Sequence, residues 1–251
     1  MPRLRTPGLE ALATETLAQL HYADRLALAG LPATVRNETH PEIEARPMPS
    51  PARFRHQPFY CEENAWWLCA DPTLGDGPRH VLFITSHEGI CPFAAQQAAA
   101  PGEVVWWDYH CVVLDGAARI WDLDSRLDLP LPGADWLART FPFAHLPAPQ
   151  LLPRFRIIPG DDYRRRFASD RSHMRTDNGS WQQPPPPWAP IGSGMNLARY
   201  RDTTRAGPPG RLLDLKAFSS LLADRRTTDR RNCRADGPSS MDSPDKKSLP
   251  S

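Results

Sequence analysis

The sequence predicts an α+β fold in which a helix bearing a nucleophile packs on an antiparallel sheet. Three observations lead there. The segment Cys61-Glu62-Glu63-Asn64-Ala65-Trp66-Trp67-Leu68, directly after Phe59-Tyr60, reads as a short helix with a thiol at its front. His80-Val81-Leu82-Phe83-Ile84-Thr85 has the β-branched and aromatic content of a buried strand. Two further strands carry His110, at the end of Val104–His110, and Asp122, in Ile120-Trp121-Asp122-Leu123-Asp124. The turn residues Asp115-Gly116-Ala117 join them, and a connection that short requires antiparallel neighbours.

The remaining elements come in chain order. Gly8 to Leu31 reads as a helix from loosely spaced leucines (Leu9, Leu12, Leu17, Leu20, Leu26, Leu28). Arg46–Pro58 is Pro-rich and reads as a linker, so 1–53 is expected to be an N-terminal extension, part helical and part linker. A catalytic domain is expected over 54–224. Within it Gly75-Asp76-Gly77-Pro78 marks a turn, and Phe93–Ala100 reads as a short helix stopped by Pro101-Gly102. Phe155–Pro159 reads as a strand, Asp162–Phe167 as a helical turn, and Leu212–Leu222 as the last helix. Pro184–Pro187 must be extended, because proline continues neither a helix nor a central ladder. From Arg225 the charged, Ser- and Pro-rich composition predicts a disordered tail over 225–251.

Composition narrows the function. Thirty basic and 29 acidic residues leave a formal charge of +1, which gives no electrostatic case for nucleic acid or an anionic membrane. No apolar run reaches the roughly 18 residues of a membrane span. The 29 prolines, about twice the usual share, concentrate in Arg46–Pro58, Leu129–Pro153 and Gln183–Pro190 and predict ordered, extended connections. Five cysteines without a Cys-x-x-Cys pair argue against a disulfide framework and fit a reducing compartment. A soluble cytoplasmic protein, also nuclear, is the expectation. Zinc binding through Cys61, Cys69, His80, His87, Cys91 or His110 lacks the short ligand pairs that structural sites use. A non-catalytic Pro-rich scaffold would account for the ends of the chain but not for its middle.

The middle holds the parts of a thiol site. A thiolate is favoured by the partial positive charge at a helix N-terminus, where Cys61 sits. A base, His110, and an orienting carboxylate, Asp122, would complete it. Register tests the arrangement. A two-residue turn would send Asp122 to the opposite sheet face, whereas the three-residue loop Asp115-Gly116-Ala117 sets it directly opposite His110. The odd-length loop is therefore predicted. Asp108 and Asp124 share that face. The Cys61 backbone N–H is the natural first oxyanion donor, and Gln96, Gln97, Trp106 and Trp107 are candidates for a second.

Several strings together resemble the protein N-terminal glutamine amidohydrolase family. They are Tyr60-Cys61-Glu62-Glu63-Asn64, Trp107-Asp108-Tyr109-His110, Trp121-Asp122-Leu123-Asp124, Phe167–Met174, Pro184–Pro187 and Met195-Asn196-Leu197. The resemblance spans about Tyr60 to Leu222. It implies a core similar to papain-like enzymes and transglutaminases, with Cys61 as nucleophile, His110 as base and Asp122 as orienting acid. It implies deamidation of N-terminal glutamine in proteins and peptides to glutamate, with release of ammonia and feeding of the N-degron route, by a monomer needing no metal or organic cofactor. A transglutaminase-like or peptidase-type enzyme of the same superfamily is the nearest competitor. Glu63, Gln97, Trp107 and Asp170 are the candidates for binding substrate, Glu63 and Asp170 as acceptors of its α-ammonium group.

Overall fold

The computed structural model describes residues 53–142 and 149–224. The expected helix at Gly8–Leu31 and the expected tail lie outside the described residues. Inside them the fold is α+β, built on one antiparallel sheet.

The sheet has six strands in the order β6-β5-β4-β1-β7-β8. These are β1 (His80–Thr85), β4 (His110–Leu114), β5 (Arg119–Trp121), β6 (Leu131–Pro132), β7 (Arg154–Pro159) and β8 (Arg211–Asp214). Every pairing is antiparallel. β2 (Cys91–Phe93) and β3 (Val105–Trp107) form a separate two-stranded sheet. The central strand β1 is buried on both faces, which explains its near-continuous apolar run.

Alternation along the strands sorts the side chains into two cores. Val81 and Phe83 of β1, with Cys111 and Val113 of β4, face α1 (Cys61–Leu68), α3 (Gly160–Arg166) and α4 (Leu197–Arg201). Leu82 and Ile84, with Val112 and Leu114, face α2 (Gly133–Thr140), the small sheet and α5, which covers 215–224. On that second side Phe155 stacks on Phe218 with ring centroids 4.1 Å apart, and Trp136 meets Phe141 edge-on at 5.7 Å.

Several sequence expectations need correcting. Val104–His110 is not one strand: β3 ends at Trp107 and β4 begins at His110, because the two belong to different sheets. Phe93–Ala100 is not a helix. Phe93 closes β2, and the residues after it form turns held by Arg126, whose guanidinium donates to the carbonyls of Gln96, Gln97 and Ala99. Leu212–Leu222 divides into β8 and α5, since Arg211–Asp214 pairs with Arg154–Ile157. The Pro-rich stretch Leu129–Pro153 conceals α2, whose proline neighbours lie outside the helix, with Pro132 as its N-cap.

Candidate active site

α1 begins at Cys61 because the chain before it is clamped. The Glu63 and Asn64 N–H groups donate to Tyr60 O at 3.0 and 2.9 Å, while the Asn64 side chain closes on Gln57. It accepts the Gln57 N–H at 2.9 Å and donates to Gln57 O at 2.9 Å. The first N–H groups of a helix have no intrahelical acceptor, so the Cys61 N–H points to whatever stands before α1. Cys61 is 8% exposed and lines a cleft. Burial pushes Cys69 up to about 12 and Cys91 well above the usual thiol range. Cys111 is raised by burial and by the neighbouring Cys61.

His110 stands at the start of β4, almost fully buried. Its Nε2 lies 2.8 Å from Asp122 Oδ1, which leaves Nδ1 as the nitrogen open to a thiol, and Cys61 lines the same cleft, its Sγ donating to Glu62 Oε2 at 3.8 Å. The ring is held from both sides, by Trp107 stacked at 6.0 Å and Phe93 edge-on at 5.3 Å. Burial opposes the imidazolium, but the Asp122 charge and hydrogen bond, with Cys61, outweigh it and raise the His110 pKa well above its ordinary value. Burial likewise works against the Asp122 carboxylate, yet His110 and the Gln96 and Trp136 hydrogen bonds hold its pKa below normal. Gln96 Nε2 and Trp136 Nε1 both donate to Asp122 Oδ2 at 3.2 Å.

His110 and Asp122 share a sheet face, but the loop behind them differs from the expected one. Leu114 pairs with Ile120, and the Asp115 N–H donates to Arg119 O at 3.0 Å. The three-residue loop is therefore Gly116-Ala117-Ala118, with Ala118 left-handed at φ 57°. The buried Asp115 carboxylate fixes it, accepting the N–H groups of Ala117 and Arg119 and the Trp121 indole. The pairing moves by two residues, which preserves the face and places Asp122 just beyond β5, diagonal to His110 rather than directly opposite. Asp124 stands closer to the opposed position, and His56 holds it at 2.8 Å.

The cleft has a volume of about 510 Å³. Cys61, His110 and Trp107 line it, together with Thr85, Asp108, His173, Gln182 and Gln183. A larger cavity of about 990 Å³ lies between α2 and α5, but none of Cys61, His110 and Asp122 lines it. Glu63 is not a cleft residue: its fully buried carboxylate is gripped by Arg171 at 2.7 and 2.8 Å and by the Trp188 indole at 2.7 Å. Gln97 donates to Ser125 O and Leu123 O and shapes the loop after Asp122. Asp170 accepts the Ser172 N–H at the surface. Of the second-donor candidates, the Gln96 amide faces Asp122 and the Trp107 indole donates to Gln96 Oε1 at 3.4 Å. Sequence reasoning missed Trp136, which lay in an unrecognised helix, and the fully buried Glu62, whose Oε2 accepts the Tyr109 hydroxyl at 3.0 Å.

Among the described residues, donor atoms of His110, Asp122 and Asp124 lie within 4.8 Å of one another, close enough to share a metal ion. His110 and Asp122 already bond each other, and Asp124 already bonds His56. Cys69, His80, His87 and Cys91 do not join this group.

A buried thiol leading a helix packed on an antiparallel sheet, at one cleft with a hydrogen-bonded imidazole–carboxylate pair, is a layout that suits thiol-dependent acyl transfer and amide hydrolysis. The chain belongs to the N-terminal glutamine amidase family, whose sequence model matches residues 56–222. It is a hydrolase acting on amide carbon–nitrogen bonds. Relatives named protein N-terminal glutamine amidohydrolase include those of Homo sapiens and Bos taurus. Each is 38% identical over 157 residues, with 59% of this chain aligned to 77% and 76% of theirs. The Arabidopsis thaliana protein of that name is 36% identical over 171 residues, which are 59% of this chain and 75% of the relative.

Proposed function

We propose that the protein deamidates N-terminal glutamine in proteins and peptides, giving glutamate and ammonia through a thioester on Cys61. The observation that carries the reading is the placing of Cys61 at one cleft with the hydrogen-bonded His110–Asp122 pair, within a chain of this family. His110 Nδ1 takes the thiol proton as the sulfur attacks the side-chain amide carbon. The developing oxyanion has the Cys61 N–H as donor. The imidazolium then gives its proton to the departing ammonia, leaving the thioester, and His110 activates a water molecule that hydrolyses it. Asp122 fixes the imidazole tautomer and supports its charge throughout. The new glutamate would enter the N-degron route.

We also propose a monomer in the cytoplasm or nucleus, where the free thiols of Cys61, Cys69, Cys91 and Cys111 would stay reduced. The test is ammonia release from peptides beginning with Gln, compared with internal Gln and N-terminal Asn. The Cys61→Ala variant is expected to fold as the parent does and to lose at least about 10³-fold in activity. Equal release from internal Gln, or cleavage of the peptide bond, would count against the reading.

A further inference from the structure

Confining the reaction to the first residue of a chain requires a site for its α-ammonium group, which carries one positive charge and three N–H donors. The need for such a site rests on the proposed function; its position is set by the side chains of the cleft. The carboxylates of Glu63 and Asp170 lie elsewhere, the first under Arg171 and Trp188 and the second on the Ser172 N–H. Among the described residues, two carboxylates line the cleft, Asp124 and Asp108. His56 holds Asp124 at 2.8 Å. Asp108 Oδ1 accepts the Tyr109 N–H at 3.0 Å, while its Oδ2 meets Arg201 Nη1 at 3.4 Å, with both of those side chains about half exposed at the rim.

Thr85, the last residue of β1 and the one after Ile84, which pairs with His110, lines the same cleft. Thr85 is 2% exposed, lines the cleft, and its hydroxyl has no hydrogen-bond partner in the protein. A buried hydroxyl left in that state beside an open cleft is matched by a ligand that donates to it. Burial raises the Asp108 pKa against the pull of Arg201, and the fully buried Glu62 adds a smaller push in the same direction, so a cation arriving beside Asp108 restores its carboxylate. The facing cation is Arg201 at the rim, and the His173 ring also lines the cleft, its Nε2 3.3 Å from Glu62 Oε1.

The spacing suits glutamine. Its α-nitrogen and side-chain amide carbon are four bonds apart, roughly 5 Å when extended. Asp108 and His110 stand two positions apart at the break between β3 and β4, and both line the cleft with Cys61. A carboxylate at Asp108 can therefore receive the ammonium while the amide carbon stands before the thiol.

We propose that Asp108, with the Thr85 hydroxyl, receives the α-ammonium group of the substrate and thereby restricts the enzyme to chain termini. An internal glutamine brings an amide to this position, which leaves Asp108 without its counter-charge. Such a site rejects the uncharged analogue through the unpaired group it would leave behind.

The experiment measures ammonia release from a peptide beginning with Gln and from its N-acetylated form, with the full chain and three variants. Asp108→Asn is expected to raise KM for the free peptide about tenfold or more, with kcat changed far less. The free-to-acetylated ratio of kcat/KM is expected to fall by a similar factor. Thr85→Val should shift KM in the same direction by a smaller factor. Arg201→Ala removes the cation that competes for Asp108 and should lower KM. An Asp108→Asn enzyme with unchanged KM and an unchanged ratio overturns the assignment. If that variant does not fold, Thr85→Val and Arg201→Ala decide, and an unmoved KM in both overturns it as well. Absence of ammonia release by the unmodified protein is a different result: it removes the deamidation reading and this assignment with it.

Discussion

At the scale of single residues, the reactive character of the site depends on how Asp122 is held. Its two oxygens take Nε2 of His110, the Gln96 amide and the Trp136 indole, so the carboxylate has one orientation and the imidazole one tautomer. Replacing it with Asn keeps the shape but removes the charge that raises the His110 pKa. We expect Asp122→Asn to lower kcat by about 10³- to 10⁴-fold. The histidine ring proton resonance should titrate at a lower pH than in the parent. The pair also links stability to pH. His110, raised from 6.5, contributes stability that is complete below that value and lost as pH climbs through its folded-state pKa. Asp122, lowered from 3.8, contributes stability that is complete above that value and lost as pH falls through its own. The stability gap between parent and Asp122→Asn should thus be widest from pH 3.8 to 6.5 and narrow on both sides, read by urea unfolding at a series of pH values. A gap that does not change with pH would contradict the pairing.

At the scale of elements, strand β1 and helix α1 were legible because each carries its own signal. His80–Thr85 is a continuous apolar strand with the bounds the sequence predicts, and Cys61–Leu68 is a helix with its thiol first. The β4–β5 connection was legible only in parity. An odd loop keeps His110 and Asp122 on one face, but the buried Asp115 carboxylate, not the turn residues, decides that the loop lies one residue later. The segment after Phe93 failed for a related reason: its Ala and Gln content favours a helix, while the distant Arg126 holds it in turns. Glu63 shows the same limit. An acidic residue in a first helical turn is ordinary, and only the fold reveals that it pins α1 to Arg171, 108 positions away. The loop from Asp202 to Gly210 is tied down in like manner by Arg156, a fully buried side chain of β7. Its guanidinium donates to the carbonyls of Asp202, Arg205, Gly207 and Pro209. Gly210 completes the attachment, at φ 71° and so close that a Cβ would overlap the Ile157 carbonyl oxygen. Arg156→Leu leaves those carbonyls without their donor and should cost about 2–4 kcal/mol in urea unfolding. A loss below about 0.5 kcal/mol would mean that water replaces the guanidinium and the loop is not held by it.

At the scale of the whole molecule, the site and both cores fall within one stretch of chain. The family match covers 56–222, and the described residues reach from 53 to 224. Cys61 is at the front of this stretch, His110 and Asp122 are in its middle, and α5 near its end closes the second core through Phe218 and Leu222. Each of the two cores draws on both early and late segments: Phe83 packs against Tyr163 and Tyr200, and Phe155 against Phe218. Removing any large part of 53–224 would therefore open a core, whereas the segments 1–52 and 225–251 supply none of the residues assigned to the reaction. We predict that a chain cut to 53–224 unfolds in one cooperative transition and keeps kcat/KM for a Gln-initiated peptide within about threefold of the full chain. The measurement pairs urea unfolding, followed by tryptophan fluorescence, with ammonia release from that peptide. A cooperative fold with strongly reduced kcat/KM would assign the flanking segments to substrate binding. Loss of the cooperative transition would instead make them part of the folding unit.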